Sequence, residues 1–325
     1  MVADLLECLN GEHKDQVSPL AALKFIFERH ISNLDNWAIN VKILIIFHRG
    51  MQNIKVNRKI YKDLKSKEHL LHPYTARTKD APNYNTKMYM EISKMYANYL
   101  KFYVNVANKT DILAKPIAKI SDDVRELRTV EILKHYEFFK AIVEQIFAQF
   151  QNSNFCRLNR LFSNLIFMLF KDLIKVYKVY YVHITEILER FHGLDYEVSH
   201  MAFVMFQNFV NLTDGIRTKA NKLLYTFNFP IALPDFYNPD KALVESLKVV
   251  VESNNESEKR EIADKARGGM NRDQFIQTKK QENEDGEKEY YFDCTVLDKL
   301  ATNQSQVPGE EMKADANVDL MDFIR

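Results

Sequence analysis

Apolar side chains recur every three or four positions through residues 155–191: Leu158, Phe162, Leu165, Leu169, Leu173, Val176, Tyr180, Ile184, Ile187 and Phe191. That spacing lays one continuous stripe along one side of an α-helix. Neither Gly nor Pro interrupts the stretch, so the pattern predicts a single helix roughly 55 Å long. So long a helix needs apolar partners along much of its length, and the rest of the chain repeats the same period. Residues 1–9 carry Leu5, Leu6 and Leu9 on one face. Ser18-Pro19 is a helix start, a capping hydroxyl followed by a first-turn proline, ahead of Leu20, Leu23, Phe27 and Ile31. Further helices are predicted over 36–51, 86–106, 125–150 and 198–227. Residues 108–123, marked by Pro116, read as a connection. Pro230 and Pro234 turn the chain, and Asn238-Pro239-Asp240 opens a last short helix with Leu243, Leu247, Val250 and Val251. No strand-like alternation and no fixed-length repeat stands out. The fold class is therefore all-α: antiparallel helices stacked side by side as a solenoid.

The pattern stops after Ser253. Residues 254–288 are about half charged and poor in apolar side chains, too few to offset the entropy of ordering the chain. Residues 289–300 form a small apolar island, and the chain closes on NVDLMDFIR. The sequence thus divides into a helical domain, 1–253, and a flexible charged tail, 254–325.

Composition sharpens this picture in three places. With 46% hydrophobic residues but only 8 Gly and 8 Pro, the chain has apolar material for a large core and too few turn formers for an all-β fold. A net charge of +1 gives no bulk pull toward nucleic acid or membrane, so an anion site has to come from local clustering. The cysteines, Cys8, Cys156 and Cys294, are far apart and form no CxxC pair; they read as reduced thiols of a cytosolic protein. No secretory leader is visible at the start, and no apolar run is long enough to span a bilayer.

Three segments, in order, resemble the ANTH domain of clathrin-assembly proteins. The stretch 23–50, LKFIFERHISNLDNWAINVKILIIFHRG, is similar to the family's second and third helices through Phe27-Glu28-Arg29, Asn36-Trp37, Lys42 and His48-Arg49. The stretch 165–195 resembles its long central helix through Lys171-Asp172 and Ile187-Leu188-Glu189. The stretch 233–253 resembles its closing helix, entered through a Leu-Pro-Asp turn. The resemblance spans about residues 4–253. It implies a helical solenoid that binds phosphatidylinositol 4,5-bisphosphate and recruits clathrin through its tail, cytoplasmic and peripheral on plasma membrane or clathrin-coated vesicles, without catalytic activity or cofactor. The family's lipid motif, a lysine, nine spacers, then Lys-x-Lys/Arg-His/Tyr, lies just ahead of the position matching Asp4-Leu5-Leu6, where this sequence begins. Lys55, Lys65 and Lys67 repeat the lysine spacing, but Glu68 stands in place of the His/Tyr and the segment follows the third helix.

A polyanionic headgroup needs cations converging from neighbouring elements, helped by free helix amides. In an antiparallel stack the end of the second helix lies beside the start of the third, so Arg29, His30 and Lys42 share one pole and are the candidate lipid-binding residues. The alternative is that Arg29 and Lys42 are ordinary surface charges or ion pairs in the packing layer. Lys55, Arg58, Lys59, Lys62, Lys65 and Lys67 form a denser basic run whose default reading is a solvated face, and His48 and Arg49 cap or pack a helix end. In the tail, Asp319-Leu320-Met321 resembles the short DLL/DLF elements with which clathrin-assembly tails contact clathrin and adaptors.

A second class of function is a helical scaffold whose grooves take partner helices, such as SNARE segments, without touching lipid. A third is an isoprenoid enzyme, because Asp122-Asp123-Val124-Arg125-Glu126 fits the DDxx(D/E) metal pattern. That motif belongs inside a long helix facing a cavity, whereas here it is expected to open a helix after a loop, where acidic residues cap and match the dipole. No HExxH, GxSxG or Walker A segment is present, and the histidines show no metal-ligand spacing.

Overall fold

The computed structural model describes residues 37–52, 83–110, 112–253 and 256–268, together with the isolated positions 25, 26, 28, 61, 62, 64, 65 and 71. Nine α-helices and no strand occur among them: α1 (Trp37–Gln52), α2 (Tyr84–Thr110), α3 (Ile117–Glu126), α4 (Thr129–Phe150), α5 (Ser153–Cys156), α6 (Arg160–Arg190), α7 (Tyr196–Phe227), α8 (Lys241–Ser253) and α9 (Glu256–Gly268). The fold is the expected all-α solenoid.

The central helix α6 is the hub. Of its residues, Leu165 through Phe170 and Val179 through Leu188 are buried without interruption, wider than the single stripe read from the sequence, because neighbours pack on several sides. Aromatic contacts give the directions. Trp37 at the start of α1 stacks 5.8 Å from Phe162 at the start of α6, and His48 further along α1 meets Asp172 further along α6, so these helices run parallel. His135 and Phe139 of α4 meet His183 and Tyr180 in turn, and Met205 and Phe209 of α7 meet Tyr180 and Tyr177, so α4 and α7 run antiparallel to α6. Tyr180 also donates its hydroxyl to the Met205 carbonyl at 3.1 Å, which satisfies a phenol that burial would otherwise leave stranded.

Four sequence expectations change. The helix over 125–150 is split: α3 closes at Glu126, Leu127 and Arg128 are extended, and Arg128 with Glu131 caps α4, which begins at Thr129. The helix over 155–191 begins only at Arg160: Asn159 sits in extended backbone and its side chain accepts from Leu161 N at 2.9 Å, an N-cap that interrupts the apolar period. Leu158, counted in the core stripe, is instead 74% exposed. The connection at 108–123 holds helix α3, entered at Pro116; proline suits a helix entry because its missing N–H has no intrahelical partner to lose. Arg190 donates to the carbonyls of Leu127 and Arg125 at 2.6 and 2.7 Å, tying down the end of α3. Past Ser253, where charge density argued against packing, α9 forms and buries Ala263 and Ala266. Tyr237 donates to the Ala266 carbonyl at 2.9 Å, so small side chains on one face suffice to seat a helix that is otherwise charged. The helix start read at Asn238-Pro239-Asp240 acts as expected, Asp240 accepting from Ala242 N at 3.1 Å to open α8; α7 closes on Asn228 at φ 52°, a left-handed cap that the sequence reading did not single out.

Candidate lipid-binding end

The starts of α1, α2 and α6 lie together. Tyr89 of α2 stacks on Trp37 at 5.0 Å and on Phe162 at 4.8 Å, a three-ring column that joins the first turns of α1 and α6 to the second turn of α2. None of these helices has an acidic residue in its first turn, where carboxylates are ordinarily favoured by the helix dipole. Lys42 is half-buried on α1, its stem between buried Val41 and Ile43 in sequence, an arrangement suited to a cation whose apolar stem packs while its head reaches water. Asn40 is buried with neither side-chain polar atom hydrogen-bonded.

What fixes α1 against α6 is a polar cluster that the sequence reading missed. Asp172, fully buried in α6, accepts from His48 Nε2 at 2.6 Å, from the Tyr99 hydroxyl at 2.5 Å and from Gln52 Nε2 at 2.7 Å. His48 is also fully buried, and its Nδ1 lies 2.7 Å from the Tyr96 hydroxyl. Burial by itself would push the Asp172 carboxyl up; the adjacent His48 charge and the three donors outweigh it and hold it below the ordinary carboxylate range. The phenols of Tyr96 and Tyr99 are pushed up, first by burial and then by the Asp172 charge, so they stay protonated. The signal in the sequence was an aspartate inside the apolar run LFKDLIK together with a histidine that closes the run ILIIFH, one turn before the end of α1: two ionisable groups on faces that have no access to water.

A family model for the ANTH domain matches residues 7–218. The chain belongs to the ANTH-domain family. Proteins of this family are endocytic adaptors linked to phosphoinositide and clathrin. No curated protein sequence matches the chain. The matched region runs from before α1 into α7, so helices α8 and α9 lie beyond it.

Of the candidate residues in this ANTH-domain chain, Lys42 is on α1 as described. Arg29 and His30, and the tail residues Asp319, Leu320 and Met321, lie outside the described residues. Within the basic run, Lys62 and Lys65 are exposed while Tyr61 and Leu64 are buried, the solvated-face arrangement. The acidic motif is not at a helix start: Asp122 and Asp123 occupy the second half of α3. Asp123 pairs with Lys115 at 2.7 Å, and exposed Asp122 lies 3.9 Å from Arg125. These carboxylates are neutralised by neighbouring cations, and no group of three metal-ligating side chains occurs among the described residues. No described helix is long and apolar enough to cross a membrane.

Proposed function

We propose that this ANTH-domain chain is a clathrin-associated endocytic adaptor. Its helical domain binds phosphoinositide-bearing membrane through Arg29, His30 and Lys42, and the segment beyond the packed helices recruits clathrin or adaptor proteins through Asp319-Leu320-Met321. The observation that carries the reading is the ANTH-domain match across the helical stack. The acid-free first turns around Trp37 and the half-buried Lys42 support it, since a polyanionic headgroup is bound where cations converge without competing carboxylates. The chain would sit peripherally on plasma membrane or clathrin-coated vesicles.

Sedimentation with vesicles tests the lipid half. The protein is expected to pellet with vesicles containing phosphatidylinositol 4,5-bisphosphate and to stay in solution with phosphatidylcholine alone. Each basic residue near an anionic leaflet contributes about 1 kcal/mol, so Arg29→Glu with Lys42→Glu should lower partitioning by at least roughly tenfold. Equal, poor sedimentation with both vesicle types refutes lipid binding; undiminished sedimentation of the double variant refutes the assignment of these residues. Leu320→Ala with Met321→Ala should abolish retention on immobilised clathrin or adaptor domains.

A further inference from the structure

The most exposed large apolar side chains among the described residues are Tyr225 at 93%, Leu158 at 74% and Tyr84 at 69%. Single exposed apolar residues are ordinary on any protein surface. These three, however, gather at one end of the stack. Tyr84 is the first residue of α2, and Leu158 precedes the start of α6, beside the Trp37–Tyr89–Phe162 column. Tyr225 is in the last turn of α7, which runs antiparallel to α6: Phe209 faces Tyr177, and Phe227 stacks on Phe229, itself 5.0 Å from Phe167. The last turns of α4 meet the same end, where Phe147 packs under Lys219 of α7.

Leu158 is held outward by its backbone. Its N–H donates to the Phe155 carbonyl at 3.2 Å, Asn159 N donates to the Cys156 carbonyl at 3.2 Å, and the Asn159 side chain caps α6. Phe155 in turn rests on Tyr89 at 4.9 Å. The knob is therefore presented by a braced turn between two helices.

Charge distinguishes this end from the other. Residues 37–52, 83–90, 145–171 and 215–234 contain no Asp or Glu, while Lys87, Arg157, Arg160 and Lys222 are exposed there. The opposite end mixes both signs and pairs them, Arg128 with Glu131 and Arg190 with Glu186. Apolar and tyrosyl side chains in front with cations behind them match the interfacial zone of an anionic bilayer, where tyrosine rings settle at headgroup level and basic residues meet phosphate.

We infer that the turn carrying Leu158, with Tyr84 and Tyr225 at the same end of the stack, enters the outer part of an anionic lipid bilayer and sets the orientation of the domain on it. This rests on the membrane-binding reading above and adds a depth and a direction to it: the starts of α1, α2 and α6 face the lipid.

The test uses the full chain with Leu158→Trp, compared with wild type, whose lone Trp37 provides the baseline. On vesicles of phosphatidylcholine, phosphatidylserine and phosphatidylinositol 4,5-bisphosphate, the added indole should shift its emission to the blue and be quenched by acyl chains brominated near the headgroup. Leu158→Asp should lower vesicle partitioning roughly 10- to 100-fold, the range set by burying one leucine, and Met201→Asp, an exposed apolar site on the first half of α7, should leave it unchanged. Vesicle binding without bromine quenching, or undiminished by Leu158→Asp, overturns the inference and leaves the membrane reading intact. Absence of binding by wild type to any of the vesicles overturns both. Loss of coat-protein capture by Leu158→Asp with vesicle binding intact identifies a protein-docking knob and equally overturns it.

Discussion

Acid should weaken this fold through one buried imidazole, and the size of the effect can be worked out. His183 lies in the last third of α6 with none of its side chain exposed. Its Nδ1 is 2.8 Å from the Val179 carbonyl, so that nitrogen carries the proton and donates. Its Nε2 is then the acceptor and lies 3.2 Å from His135 Nδ1 of α4, while Phe139 presents an edge to the ring at 4.9 Å. Burial lowers its pKa from the ordinary 6.5 to about 3, and the neighbouring His135 pushes the same way. A base whose folded pKa is depressed binds more protons when unfolded. Stability is then full above pH 6.5 and is lost as the pH falls toward 3. The loss is about 2 kcal/mol between about pH 7.5 and about pH 5, approaching roughly 4 kcal/mol near pH 3. His183→Leu keeps a similar volume and removes the titration. Urea unfolding of both proteins across this range should show wild type losing ground to the variant by that amount. His135 remains in both proteins, lowered by its own burial and raised by Glu131, and the Asp172 cluster is also common to both, so the difference reports His183. Parallel stability profiles would refute the assignment of the acid sensitivity to this residue.

The polar cluster gives a second outcome. Asp172→Ala leaves buried His48 without its carboxylate and should cost roughly 3 to 5 kcal/mol in urea unfolding, whereas His48→Leu with Asp172→Leu should cost much less, since a buried ion pair is often no more stabilising than apolar residues of similar volume. Tyr237→Phe removes the bond to the Ala266 carbonyl and should cost about 1 kcal/mol, read locally as faster proteolytic cleavage within 256–268; unchanged cleavage would show that the buried alanines alone seat α9.

Helix period made the stack legible because each long helix buries a face wide enough to leave a mark in the sequence. It failed where a local polar contact overrides period. Leu158 fits the stripe of α6 by spacing, yet the Asn159 cap starts the helix after it and turns the leucine to solvent. Pro116 reads as a breaker and is in fact an entry to α3. The charged sequence of α9 hides Ala263 and Ala266, whose small size lets the backbone come close to Tyr237. At the candidate site, Lys42 was visible as a cation inside an apolar run. The contacts of His48 were not, because its hydrogen-bond partners Tyr96 and Asp172 are 48 and 124 residues away in the chain, and periodicity carries no information on contacts at such separation.

That long-range cluster also bears on why the lipid-facing end can work as a unit. Apart from these polar groups both helices are largely apolar where they are buried, with Val41, Leu44, Ile45 and Met51 on α1 and Leu165, Leu169 and Leu173 among those on α6. Apolar side chains of similar size tolerate sliding, and a one-turn slip would move α1 by about 5.4 Å. The bonds from His48 and Gln52 to a single carboxylate do not tolerate it, because no other acidic side chain lies on the buried stretch of α6 until Glu186. Pinning 48 to 172 therefore holds Trp37 level with Phe162, and with it Lys42 at a fixed depth behind the Leu158 turn. On this argument the doubly apolar variant at 48 and 172 separates two properties that are usually lost together. It should stay folded, yet bind phosphoinositide vesicles less well than wild type, and full retention of vesicle binding would show that packing alone sets the register.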